Sequence, residues 1–157
     1  MNFKQANGEN FAQGRTQPIQ FLVIHYTANN GDTVQNNLDY FAGNAVGASA
    51  HYFVDENGYG RSVKDSDTAY HCGAVEYKHQ ECRNANSIGM ELCSRKDSCG
   101  NYYFLDQTVY NAAALARQLM QTYGIDRAHV LRHYDVTGKQ CPAPMVDNPT
   151  LWENFLN

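Results

Sequence analysis

Phe21-Leu22-Val23-Ile24-His25-Tyr26-Thr27 is the stretch on which the reading of the chain turns. Four apolar residues stand in a row, with β-branched Val23 and Ile24 among them, and Ile19 precedes them. A short apolar run of this kind predicts a buried central strand from Ile19 to Tyr26. His25 falls at its C-terminal end, where α/β sheets commonly place functional groups. Taken alone, His25 is explained as well by a core histidine bonded to backbone.

The flanking sequence supplies partners for that strand. His51 to Val54 reads as a second strand, Glu56-Asn57-Gly58 as a hairpin turn, and Tyr59 to Val63 as its return. Ser87 to Cys93 is another apolar run, and His129 to His133 a short strand. Asp32 or Thr33 can cap a helix carrying Val34, Leu38, Tyr40 and Phe41. The clearest helix starts at Asp106, expected as its cap, and ends at Gly124. Its stripe is Val109, Ala112, Ala113, Ala116, Leu119, Met120 and Tyr123. Residues 1–18 read as a polar arm or early loop, 64–86 as loop, and Pro142 and Pro144 as an irregular segment. Thr150 to Leu156 can form a last short helix. Strands alternating with helices predict one α/β domain around one sheet, spanning 1–157 with its core at about 19–145.

With 157 residues, 43% of them hydrophobic, the chain is long enough to bury a core. The net charge of −4 and the lack of a basic stripe speak against nucleic-acid partners. No apolar stretch approaches a membrane span, so no membrane partner is expected. The N-terminus lacks the apolar core of a signal peptide. Action outside a cell would then require another delivery route, or the chain is a trimmed piece of a longer protein. Cys72, Cys82, Cys93, Cys99 and Cys141 are odd in number and irregular in spacing, which argues against a disulfide scaffold. Cys72 and Cys82 flank one loop and Cys93 and Cys99 another, so a bridge within these four stays open. The sequence leaves the oligomeric state open.

The chemistry concentrates in His133-Tyr134-Asp135-Val136-Thr137-Gly138-Lys139-Gln140-Cys141-Pro142. An imidazole and a thiol stand eight positions apart. With His25 they make three ligands of the kind zinc prefers, and three protein ligands leave a fourth position open, the catalytic arrangement. Cys141 lies on an irregular loop, poorly placed for packing, and as a ligand it would be deprotonated by the metal. Glu91 sits inside the apolar run Ile88-Gly89-Met90-Glu91-Leu92, where a carboxylate is costly unless paired or functional. Desolvation would raise its pKa and suit it to general-base work. The plain alternative is a charge on the solvent face of an edge strand. Lys139, two residues from the thiol, could stabilise an oxyanion or be a solvated loop lysine. His71, in Tyr70-His71-Cys72-Gly73, could line a cleft and touch substrate, and His51 could do the same, though a structural role suits it better. His79 and His129 read as surface residues.

These segments together resemble the zinc-dependent N-acetylmuramoyl-L-alanine amidases shared by phage endolysins, bacterial autolysins and animal peptidoglycan recognition proteins. The resemblance rests on Ile24-His25-Tyr26-Thr27-Ala28, Ser49-Ala50-His51-Tyr52-Phe53-Val54, Asn86-Ser87-Ile88-Gly89-Met90-Glu91 and the run from His133 to Pro142, in the family's order. It implies a central mixed β-sheet flanked by helices, with one catalytic zinc in a surface groove at one edge. It implies zinc on His25, His133 and Cys141, Glu91 as catalytic carboxylate and Lys139 as transition-state stabiliser. It also implies peptidoglycan as substrate. Some phage members carry a tyrosine just before the histidine matching His51. Ala50 stands there, so that role has no carrier in this chain, and alternation should turn Tyr52 to the face opposite His51.

Three other readings belong beside this one. A non-catalytic peptidoglycan-binding module is disfavoured by Cys141, because recognition proteins of this fold lose hydrolysis when that ligand is replaced. A zinc endopeptidase would cut within the stem peptide. A purely structural zinc site would need a fourth protein ligand. No separate wall-binding module is visible in the sequence.

Overall fold

The computed structural model describes residues 1–157. Its elements in chain order are β1 (Asn2–Phe3), β2 (Phe11–Ala12), β3 (Phe21–Tyr26), α1 (Val34–Gly43), β4 (Tyr52–Asp55), β5 (Gly58–Arg61), β6 (Thr68–Ala69) and β7 (Ser87–Leu92). They continue with β8 (Arg95–Lys96), β9 (Tyr102–Tyr103), α2 (Asp106–Tyr123), β10 (Val130–Arg132), α3 (His133–Thr137), α4 (Ala143–Asp147) and α5 (Pro149–Leu156). Six strands form one mixed sheet in the order β1-β5-β4-β7-β3-β10. β7 runs parallel to both its neighbours, β4 and β3, and β10 runs parallel to β3. β5 returns antiparallel beside β4 through the expected hairpin.

Strand alternation divides the sheet into two different faces. Leu22 and Ile24 of β3, with Ile88, Met90 and Leu92 of β7 and Tyr52 and Val54 of β4, point to one side. There they pack with Ala112, Leu115, Ala116 and Leu119 of α2 and Trp152 and Phe155 of α5, forming the main core. The opposite face is mixed in character. Phe53 meets Val34 and Leu38 of α1, while Phe21 and Val23 meet Val136 of α3. Tyr52 and His51 do lie on opposite faces. Burial on both sides explains why β3 reads as a nearly continuous apolar run.

Local chemistry sets the helix ends. Thr33 accepts from the Asn36 N–H at 3.0 Å, and Asn36 Oδ1 accepts from the Thr33 N–H, a reciprocal cap that starts α1. α1 then lies so close over β5 that a Cβ on Gly60 would stand 2.7 Å from Val34 Cγ1. Gly124 ends α2 at φ 65°.

Several expectations need correction. Residues 1–18 are not merely an arm: β1 extends the sheet edge along β5, and β2 pairs with β6. Two-residue edge strands need only backbone partners, so they leave no hydrophobic alternation to read. Asp106 is the first residue of α2 rather than its cap, which is Leu105 without a side-chain bond. The segment at Pro142 and Pro144 forms α4, because Pro is tolerated in a first turn whose N–H groups need no helical partner. His133 opens α3 rather than closing a strand. The bridge left open among Cys72, Cys82, Cys93 and Cys99 does not form: all five cysteines are free thiols, in line with the expected lack of a disulfide scaffold, and Cys72 and Cys82 are buried in one apolar cluster.

Candidate metal centre

The sheet register builds the site. His25 of β3 is paired with Glu91 of β7, which is paired in turn with Phe53 of β4. Residues directly opposite on neighbouring strands share a face, so imidazole and carboxyl both emerge on the α1 side of the sheet. The last register pair of β10 and β3 is Arg132 with Ile24, which leaves His133 one step further along, level with His25. The Arg132 backbone N–H and guanidinium all donate to the Asp135 carboxylate at 2.9–3.1 Å. This hook turns the chain from β10 straight into α3, so His133 points inward. Gly138, at φ 86°, ends α3. The Tyr134 N–H donating to the Cys141 carbonyl at 2.9 Å then holds the returning loop against it.

His25, His133 and Cys141 converge as a result. His25 Nδ1 lies 3.1 Å from His133 Nδ1 and 3.9 Å from Cys141 Sγ, and the three donor atoms lie within 4.8 Å of one another. They are only 2%, 7% and 3% exposed. The metal-binding triad is therefore buried, where an open groove was expected. α3 packs on β10 and β3, and the 138–141 loop folds back over the strand ends. Burial keeps His25 neutral, its pKa pushed well below the ordinary value by desolvation and then by His71 and His133. Desolvation, with Lys139, lowers His133 to about 4. Desolvation and the Glu91 carboxyl raise the Cys141 thiol to about 12. Two neutral imidazoles and a thiol pressed together without charge compensation are suited to one cation.

Glu91 and Lys139 stand beside the triad. Glu91 Oε2 is buried with no hydrogen-bond partner, and desolvation raises the carboxyl to about 8 although Lys139 pulls it down. Such an orphaned polar atom is costly in a finished core. Lys139 is exposed on the loop after α3. A cavity of about 160 Å³ is lined by His25, His133, Cys141, Glu91, Lys139 and His71. A larger one of about 630 Å³ shares Glu91, Lys139 and Cys141 and extends along α1 past Asn36, Asn37 and Tyr40.

The remaining histidines differ in position. His71 lines the smaller cavity, but its ring nitrogens are taken up by His25 Nε2 and Ser87 Oγ, both at 2.9 Å. His51 is wholly buried: its Nδ1 accepts from the Gly89 N–H and its Nε2 donates to the Asp67 carbonyl, each at 3.0 Å. The expectation that His51 touches substrate therefore has no surface to act through, and the residue braces β7 against the 64–67 loop. Ala50 is buried against α1 and Phe53. The α1 residues that line the larger cavity escaped sequence reading, because Asn36 and Asn37 looked like ordinary polar positions of an amphipathic helix.

Fold and donor set together define an α/β protein with a candidate His2Cys metal centre. The profile of the N-acetylmuramoyl-L-alanine amidase family matches residues 15–144, and the chain belongs to that family. A probable N-acetylmuramoyl-L-alanine amidase of Bacillus licheniformis is 33% identical over 92% of this chain and 42% of its own length. The amidase CwlL of the same species is 34% identical over 87% of this chain and 39% of its own length. The chain thus spans about two fifths of these relatives. Among solved structures, a mutant endolysin from Bacillus subtilis superposes with a TM-score of 0.80 at 25% identity, covering 99% of this chain and 95% of that one.

Proposed function

We propose that the chain is a zinc-dependent amidase that hydrolyses the bond between N-acetylmuramic acid and L-alanine in peptidoglycan, acting at the bacterial cell wall. The observation that carries the reading is the convergence of three buried donors, a carboxyl with one buried and unpartnered oxygen, and a lysine on one cavity. The names of the relatives supply the substrate class. Two imidazoles and one thiol form a donor set that suits zinc, and no fourth protein ligand joins them.

His25, His133 and Cys141 would hold the ion, and the Cys141 thiol would lose its proton on binding. A bound zinc ion supplies a Lewis acid at the scissile carbonyl and lowers the pKa of water. Glu91, the carboxyl with an unpartnered oxygen on this cavity, would in its ionised form take a proton from the attacking water. The water oxygen bonds to the carbonyl carbon, the C–N bond breaks, and Glu91 passes the proton to the departing L-alanine nitrogen. The Lys139 ammonium faces the same cavity and offsets charge on the carbonyl oxygen as the tetrahedral stage forms. The glycan-linked peptide would lie in the larger cavity along α1, which shares Glu91, Lys139 and Cys141 with the smaller one.

Mass spectrometry of fragments from purified cell walls, with and without chelator, tests the proposal. Chelator-sensitive release of stem peptides with free N-terminal L-alanine is expected. New termini inside the stem peptide would make the chain a peptidase. Wall binding without release would make it a recognition module.

A further inference from the structure

His71 lies outside the triad, yet its ring is built into it. The imidazole lies across the site face of β7 at Gly89. A Cβ there would stand 2.6 Å from His71 Cγ and 2.9 Å from Nδ1, so only glycine lets the ring approach this closely. One ring nitrogen meets Ser87 Oγ and the other meets His25 Nε2, each at 2.9 Å.

This chain of hydrogen bonds has a direction. Ser87 Oγ spends its only proton on the Arg83 carbonyl, at 2.7 Å. Toward His71 it can then only accept, so His71 Nε2 carries a proton. In the neutral ring that leaves Nδ1 with the lone pair, and the His25 Nε2–H must donate to it. His25 Nδ1 is then left bare. It is the nitrogen that faces His133 Nδ1 at 3.1 Å and Cys141 Sγ at 3.9 Å.

We infer that His71 is a positioning residue for the metal centre: anchored by Ser87 and seated on Gly89, it fixes the tautomer and ring orientation of His25 so that Nδ1 is the ligand atom. The inference rests on the reading of His25, His133 and Cys141 as zinc ligands. The opposite tautomer would put a proton on the atom that has to bind the cation. Outer hydrogen bonds of this kind typically change metal affinity 10- to 100-fold.

Nitrogen-15 NMR of the zinc-loaded parent protein is the first test. A proton on His25 Nε2, coupled across the hydrogen bond to His71 Nδ1, is expected. A His25 bound to zinc through Nε2 overturns the inference. The second test is zinc competition against a chromophoric chelator. His71→Ala should weaken zinc binding roughly 10- to 100-fold and Ser87→Ala by less. His71→Asn, whose Oδ1 can accept the same N–H, should recover part of the loss. A purely structural role would lower the melting temperature of the metal-free variants without changing zinc affinity. Parent-like affinity in folded His71→Ala therefore overturns the inference, and should the variants fail to fold, the spectrum of the parent decides. If the parent binds zinc as described but releases no L-alanine from walls, the amidase proposal falls while the His71 assignment stands. A parent that binds no zinc overturns both.

Discussion

Glu91 is a carboxyl whose surroundings oppose its ionisation. Its Oε2 has no partner, and desolvation lifts its pKa from 4.5 to about 8. Between those values the unfolded chain releases a proton that the folded chain keeps, so stability must fall as pH rises through that window. Glu91→Gln should flatten this slope and raise stability near pH 8, measured by urea denaturation from pH 5 to 9. An unchanged slope would remove desolvation as the source of the shift. His133, lowered to about 4, acts in the opposite sense. The unfolded chain gains a proton below about 6.5 that the folded chain refuses, so stability also falls as pH drops through that range. Lys139 is exposed and holds nothing in place, so Lys139→Met should leave folding and zinc content intact. We expect it to lower kcat roughly 100-fold or more with little change in KM, the pattern of a contact made mainly in the transition state.

The elements serve these residues through register. The parallel pairing of β3 with β7 sets His25 against Glu91, and the turn from β10 into α3 sets His133 beside them. Alternation then explains β7, whose Ser87, Gly89 and Glu91 face the site while Ile88, Met90 and Leu92 fill the core under α2. A one-residue slip would exchange the two sets. α1 forms a wall of the larger cavity, and its start depends on the Thr33 cap. Thr33→Ala should cost about 1 kcal/mol in chemical denaturation. It should also raise KM more than it lowers kcat, because α1 touches the cavity and not the triad.

Considered whole, the molecule is a sheet with a dry face and a working face. The dry face buries the large aliphatic cluster beneath α2 and α5 and supplies most of the apolar burial. That surplus lets the other face keep desolvated imidazoles, a thiol and a carboxyl together, a grouping that opposes folding until a cation compensates it. Metal binding and folding should therefore be coupled. Zinc at a thousand times its dissociation constant adds about 4 kcal/mol, or roughly 10 °C in Tm for a domain of this size. Calorimetry with and without chelator measures this. Equal melting temperatures would mean that no metal binds the folded chain.

The sequence by itself determined what proximity along the chain can encode. A strand ending at Tyr26, a helix cap at Asp32 or Thr33, the hairpin at Gly58 and the long amphipathic helix were legible because each depends on local periodicity or turn chemistry. The candidate site residues were legible as residue types, since His25, Glu91 and the His133–Cys141 run are chemically out of place where they stand. Other features depended on packing between distant segments. The edge strand at residues 2–3 has too few residues to show a pattern. The burial of the triad follows from α3 and the 138–141 loop closing over the strand ends. The place of His71 against His25 is set by a glycine and a serine on β7, eighteen and sixteen residues further along the chain. Hydrogen-bond direction and desolvation exist only once the sheet has assembled, so only the tertiary structure could place His71 between Ser87 and His25.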